Sequence, residues 1–154
     1  MEVFRISQKK HSKELTSSGV ANRWNFKDQK VIYTGSTRSL STLELIVHKN
    51  AIKPRLEYKV MIISIADKDS LYKEISSKDL PTNWRKLEAY FKLQKKGSEW
   101  YEKQESLILK VPSAVIPLEY NYIINLEHPD FKKNVVHIRN ENYFWDSRLV
   151  ASAK

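Results

Sequence analysis

The sequence predicts an α+β fold: one domain spanning residues 1–154, built from short strands and two or three helices. Three observations predict it. Short runs of strand-forming residues recur along the chain, separated by polar turns. Two segments, near 36–50 and 83–95, switch to helical spacing of their apolar residues. The chain of 154 residues, 41% of them hydrophobic, is long enough for one real core and too apolar for a disordered polypeptide.

The elements follow in order. Val3 to Ile6 reads as a first short strand. Residues 7–22 are polar, with a turn signal at Ser17-Ser18-Gly19. Val31-Ile32-Tyr33 is a strand, and Gly35 marks the turn after it. From Ser36 to Asn50, Leu40, Leu43 and Val47 form one helical stripe. Ser36 or Ser39 is the expected cap, and Asn50 with Pro54 beyond is the stop signal. Tyr58 to Ile65 is the strongest strand, apolar on both faces and so expected to be buried on both. Lys68 to Leu80 is polar, with room for a short strand or turn. A helix is expected from Asn83 to Lys95, interrupted by Gly97, with Ser98 capping a second one to Glu105. Leu107 to Val111 is a strand ended by Pro112. Val115-Ile116, Tyr122 to Ile124, Val135 to Ile138 and Tyr143 to Trp145 are further strand candidates, with a turn at His128 to Phe131.

Composition narrows the function. Lysine and arginine exceed aspartate and glutamate by 27 to 18, a net charge of +9 that favours anionic partners. The lysines are dispersed, so no dedicated nucleic-acid arm exists. Cysteine is absent, which removes disulfides, thiol catalysis and thiolate metal sites and fits a reducing compartment. His11, His48, His128 and His137 lack paired ligand spacing, so no metal is expected. No apolar stretch reaches the ~18 residues needed to span a bilayer. No secretory signal opens the chain, and a cytoplasmic location is expected. With only three glycines and no Gly-x-Gly-x-x-Gly, a Rossmann-type dinucleotide site is excluded.

Candidate site residues gather in two stretches. Arg23-Trp24-Asn25, Tyr33, Glu44 and His48 occupy one; Pro112-Ser113, Asn121 and Asn125 the other. Glu44 and His48 are four apart and share a helix face. Glu44 is equally the third position of a Ser41-x-x-Glu44 capping box. Arg23 is either packed on an aromatic ring or a fork for phosphate or carboxylate. Arg5 on the first strand needs a partner if it points inward. Ser113 has no histidine–aspartate pair near it in sequence, so a serine nucleophile is unsupported.

The order of these pieces resembles the RES domain family. The resemblance rests on Arg23-Trp24-Asn25, Val31-Ile32-Tyr33 and Leu40-Ser41-Thr42-Leu43-Glu44 with His48 beyond. It continues through Leu80-Pro81-x-x-Trp84, Gly97-x-x-Trp100, Leu109-x-Val111-Pro112-Ser113-Ala114, Glu119-x-Asn121, Asn125-x-x-His128-Pro129-Asp130-Phe131 and Phe144-x-Asp146-x-Arg148-Leu149. It covers almost the whole chain, and its specificity lies in the order and spacing of individually short motifs.

The resemblance implies a toxin of a bacterial toxin–antitoxin pair. It implies a fold similar to ADP-ribosylating toxins, with NAD in a cleft between two small sheets. It implies cleavage of the nicotinamide–ribose bond, with phosphate as acceptor, with water, or with transfer of ADP-ribose to a protein. NAD is then a substrate, phosphate a co-substrate, and no resident cofactor is needed. The implied partner is an Xre-like helix-turn-helix antitoxin that covers the active site. The residues implied as catalytic are Arg23, Tyr33, Glu44 and Ser113; Arg5, His48 and Asn121 would bind substrate. Tyr33 would offer its ring to the nicotinamide and a hydroxyl at the ring's edge. The chain departs from the family where glycines usually precede the arginine: here Ser18-Gly19-Val20-Ala21-Asn22 leads in, and asparagine's tolerance of the left-handed region is the expected substitute. The reading from another class is a non-catalytic basic module that binds nucleic acid or protein.

Overall fold

The computed structural model describes residues 1–48 and 52–150. Seven strands form one mixed sheet: β1 (Glu2–Gln8), β2 (Val31–Gly35), β3 (Tyr58–Ile65), β4 (Tyr72–Glu74), β5 (Ile108–Pro112), β6 (Tyr120–Asn125) and β7 (Val135–Asn142). Their order is β4-β5-β6-β2-β1-β3-β7, with β4 and β5 parallel and every other pair antiparallel. Two main helices, α1 (Arg38–Val47) and α2 (Tyr90–Lys103), pack against it. Among the described residues, no helix is long and apolar enough to cross a membrane.

The two small sheets expected from the resemblance are instead one sheet with a narrow seam. β1 and β2 share a single register pair, Phe4 with Gly35. On either side the ladders are full: β1 pairs β3 over seven residues, and β2 pairs β6 over five. Helix α1 fills the seam. Its buried Ser41 hydroxyl shares its one proton between the Phe4 carbonyl at 2.9 Å and the Thr37 carbonyl at 3.0 Å. Gly35 admits this approach, since a Cβ there would lie 2.5 Å from Ser41 Oγ.

Strand alternation divides the core between the two faces of the sheet. Val31, Leu109 and Ile123 enter one cluster with Trp24, Leu93 and Trp100. Their chain neighbours Ile32, Ile108 and Ile124 enter the other, with Met61 and Ile63. The period of two that marks these runs in the sequence is therefore what builds both layers. β3 is flanked by β1 and β7 and buried on both faces, as its continuous apolar run predicts.

Several expectations are corrected. The cap of α1 is Thr37, whose Oγ1 accepts from Leu40 N at 3.0 Å, rather than Ser36 or Ser39. Ser41 lies inside α1, so no capping box involves Glu44. The Asn50 stop signal lies outside the described residues. The two helices expected over 83–105 are one α-helix: residues 82–86 are turns and a bend, Leu87–Ala89 is a single 3-10 turn, and α2 runs unbroken from Tyr90 through Gly97 to Lys103. Just before it, the Trp84 and Arg85 carbonyls accept from the Arg23 side chain. Val115-Ile116 is a turn, because both amides donate to Ser113 Oγ, an arrangement that competes with strand pairing. Tyr143 to Trp145 forms no strand. Its rings meet edge to face, Tyr143 against Trp145 at 4.6 Å and Trp145 against Tyr58 at 5.5 Å.

Candidate active site

A cavity of about 660 Å³ opens at the seam, within the ~300–1,000 Å³ range of small-molecule sites. Of the seven residues singled out from the sequence, Arg5, Arg23, Tyr33, Glu44, His48 and Asn121 line it. Ser113 stands behind the wall, joined to it through Glu44.

Glu44 projects from α1 and is partly buried. Its Oε1 accepts from Asn121 Nδ2 at 2.6 Å and from Ser113 Oγ at 2.8 Å. Asn121 sits in β6, opposite Gly35 on one side and Val111 on the other. The sheet thus delivers Asn121 and Ser113 to one oxygen of a helix residue about seventy positions earlier in the chain. Oε2 has no protein partner among the described residues and is not buried. The Oδ1 of Asn121 is buried without a partner.

Two arginines line the same cavity. Arg5 in β1 donates to the Thr16 carbonyl at 2.8 Å, and burial pulls its guanidinium below the usual arginine range. Arg23 Nη1 donates to Trp84 O at 2.9 Å and to Arg85 O at 3.2 Å, and its guanidinium sits 4.6 Å over the Tyr90 ring. Neither is paired with a carboxylate among the described residues. Two partly buried guanidinium groups without a carboxylate partner among the described residues give the cavity a positive lining, and a guanidinium out of bulk water is costly until paired.

Tyr33 lines the cavity with its hydroxyl turned to other work. The oxygen accepts from Trp24 N at 3.0 Å and donates to Asn25 Oδ1 at 2.7 Å. Burial pushes this phenol far above its ordinary range, so it is a neutral donor. The hydroxyl expected at the edge of the nicotinamide is therefore spent on the Arg23-Trp24-Asn25 turn. His48 caps α1 at the mouth through its backbone N–H and makes no side-chain hydrogen bond to Glu44. Asn125 belongs elsewhere: it holds the turn after β6 through Glu127 N.

The lead-in to Arg23 does not use a left-handed asparagine. Positive φ falls at Gly19 (70°) and Asp28 (68°). Asn22 instead accepts from Arg23 N through its side chain and bridges to Asn25 by backbone. Residues that sequence reasoning missed are Tyr90, which stacks on Arg23, and Gln94, which donates to Asn22 O at 3.0 Å. Both lie on α2, and only the helical stripe of α2 was visible in the sequence. Among the described residues, no cluster of histidine, aspartate and glutamate could hold a metal.

Comparisons with known proteins bear on family and fold. Residues 2–146 match the RES domain. The chain is 31% identical over 153 residues to "Toxin Res" of Yersinia enterocolitica, covering 97% of this chain and 99% of that protein. It is 30% identical over 144 residues to the "Prs ADP-ribosylating toxin" of a Sphingobium species, covering 91% and 89%. Among solved structures, the M. tuberculosis MbcT-MbcA toxin–antitoxin complex contains a chain that matches with a TM-score of 0.73 and 14% identity, over 92% of this chain and 83% of that one. At that identity the likeness is one of fold.

Proposed function

Because this chain belongs to the RES domain family, we propose that it is the toxin of a toxin–antitoxin pair and degrades NAD in the cytoplasm by cleaving the nicotinamide–ribose bond. The observation that supports the reading is a carboxylate whose Oε2 has no protein partner among the described residues, Glu44, in a cavity lined by two arginines that also lack a carboxylate partner among them. Bond cleavage places positive charge on the ribose, and a fixed carboxylate stabilises that charge mostly in the transition state. The C–N electron pair leaves with nicotinamide and neutralises its ring. A phosphate oxygen then forms the new bond at the ribose carbon, giving ADP-ribose phosphate. Arg5 and Arg23 would hold the pyrophosphate and the acceptor phosphate. An Xre-like helix-turn-helix antitoxin over the cavity mouth would keep the enzyme silent.

The test incubates purified protein with NAD, with and without phosphate, and separates the products. Nicotinamide release that requires Glu44 and is accelerated by phosphate is the expected result. Glu44→Gln should lower kcat by about 10³-fold while the protein stays folded. NAD left intact in both arms overturns the proposal. A second reading, transfer of ADP-ribose to a protein side chain, is favoured by the name of the Sphingobium relative. Mass spectrometry of lysate proteins separates it, since only transfer leaves a modified protein.

A further inference from the structure

We infer that Ser113 is a positioning residue that acts through Glu44 and neither touches substrate nor serves as a nucleophile. The inference rests on the reading of Glu44 as the working carboxylate of an NAD cleft.

A serine hydroxyl has one proton and two lone pairs. In Ser113 all three are assigned. Val115 N and Ile116 N each donate to Oγ at 3.0 Å, which occupies both lone pairs. The remaining proton goes to Glu44 Oε1 at 2.8 Å. Ser113 is 1% exposed and absent from the cavity wall, although Pro112, Ala114 and Val115 line it. A nucleophilic attack would have to start along the direction that Glu44 already fills. No histidine lies within hydrogen-bonding distance to take the proton among the described residues.

The same arrangement decides which oxygen of Glu44 works. Ser113 and Asn121 both donate to Oε1, so that oxygen is held by two fixed donors. Ser113 is itself anchored by its own amide, which donates to Glu119 O at 2.8 Å, while Asn121 is held in the ladder between β2 and β5. The carboxylate is therefore oriented by two rigid supports, and Oε2 is left for the ribose. Preorganisation of this kind acts on the chemical step, because the charge it stabilises develops only there.

The experiment compares Ser113→Ala and Ser113→Thr with wild type in steady-state NAD cleavage, alongside a crystal structure of the alanine variant. Ser113→Ala should lower kcat by about 100-fold with KM for NAD unchanged. Ser113→Thr, which keeps the hydroxyl, should restore most of the rate. In crystals of Ser113→Ala the Glu44 carboxylate should leave its place beside Asn121. Should Ser113→Ala fail to fold, Ser113→Cys carries the test, since a thiol is a weaker donor of similar shape, and kcat should still fall. An unchanged kcat, a rise in KM alone, or ADP-ribose attached to residue 113 overturns the inference. If wild type leaves NAD intact, the NAD reading fails, and the position of Glu44 in the alanine crystals still decides the role of Ser113: a carboxylate found unmoved refutes it.

Discussion

Gly97 of α2 lies against the backbone of Trp24 so closely that a Cβ at position 97 would sit 1.8 Å from the Trp24 carbonyl oxygen and 2.7 Å from its carbonyl carbon. Both groups are rigid, one in a helix and one in a turn that Tyr33 fastens. Gly97→Ala therefore must push α2 away from the Arg23-Trp24-Asn25 segment. Overpacking of this kind costs about 1–3 kcal/mol, and backbone contact puts this site at the upper end. Denaturant unfolding should show that loss, and NAD cleavage should fall with it, because the displaced segment carries Arg23. A variant with wild-type stability would contradict the contact.

Tyr33→Phe tests the other fastening. The change leaves Trp24 N and Asn25 Oδ1 without their hydroxyl partner. A buried polar group left unpaired costs about 1–3 kcal/mol. Stability should fall by that order while the cavity keeps its aromatic ring. Ultraviolet titration should show one tyrosine that stays un-ionised until the protein unfolds, and the phenylalanine variant should lack it.

Arg23→Lys separates charge from geometry. Lysine keeps the positive charge and loses the planar guanidinium, whose Nη1 donates to both the Trp84 and Arg85 carbonyls while its face stacks on Tyr90. The stacking alone is worth about 0.5–1 kcal/mol. The lysine variant should be modestly less stable and should bind NAD more weakly, visible as a raised KM. An unchanged KM would remove Arg23 from the substrate site and leave it as a clamp.

Alkaline stability follows from Tyr72. Burial raises its phenol from 10.0 to about 12. The folded state holds this proton more tightly than the unfolded chain does. Its contribution is thus complete below about pH 10 and disappears as pH rises through about 12. Urea midpoints measured across that window should decline, and Tyr72→Phe should decline less steeply.

Much of the sheet was legible in the sequence, because its signal is local. Tyr58 to Ile65 and Val31 to Tyr33 are runs of strand formers, and each became a strand. The helix around Gly97 was misread for a reason that no window contains. Glycine there looks like a breaker, yet its cause is Trp24, seventy-three positions away. The Val115-Ile116 pair was misread because a single hydroxyl, that of Ser113, captures both amides. The candidate site was legible only through ordered motifs. Spacing predicted Glu44 and His48 on one helix face, but α1 ends at Val47 and His48 is its extended C-cap; nor could spacing bring Ser113 and Asn121 to one carboxylate oxygen, since the sheet performs that convergence. Nor did it reveal that Ser113 stands behind the wall.

The seam at Phe4 and Gly35 has a bearing on descent. Arg5 belongs to the β1 half of the sheet, whereas Asn121 lies in the β5-β6-β2 half with Ser113 just past β5; the backbone ladder between the halves is one register pair, supplemented by one serine hydroxyl and a shared apolar cluster. A full ladder would fix the distance between the halves by many bonds at once, and altering it would require concerted substitutions. A joint this narrow places the width of the cleft under the control of a few positions, Phe4, Gly35 and Ser41 among them. Substitution at these few positions is a route to a wider or narrower cavity that leaves the β1–β3 and β2–β6 ladders intact.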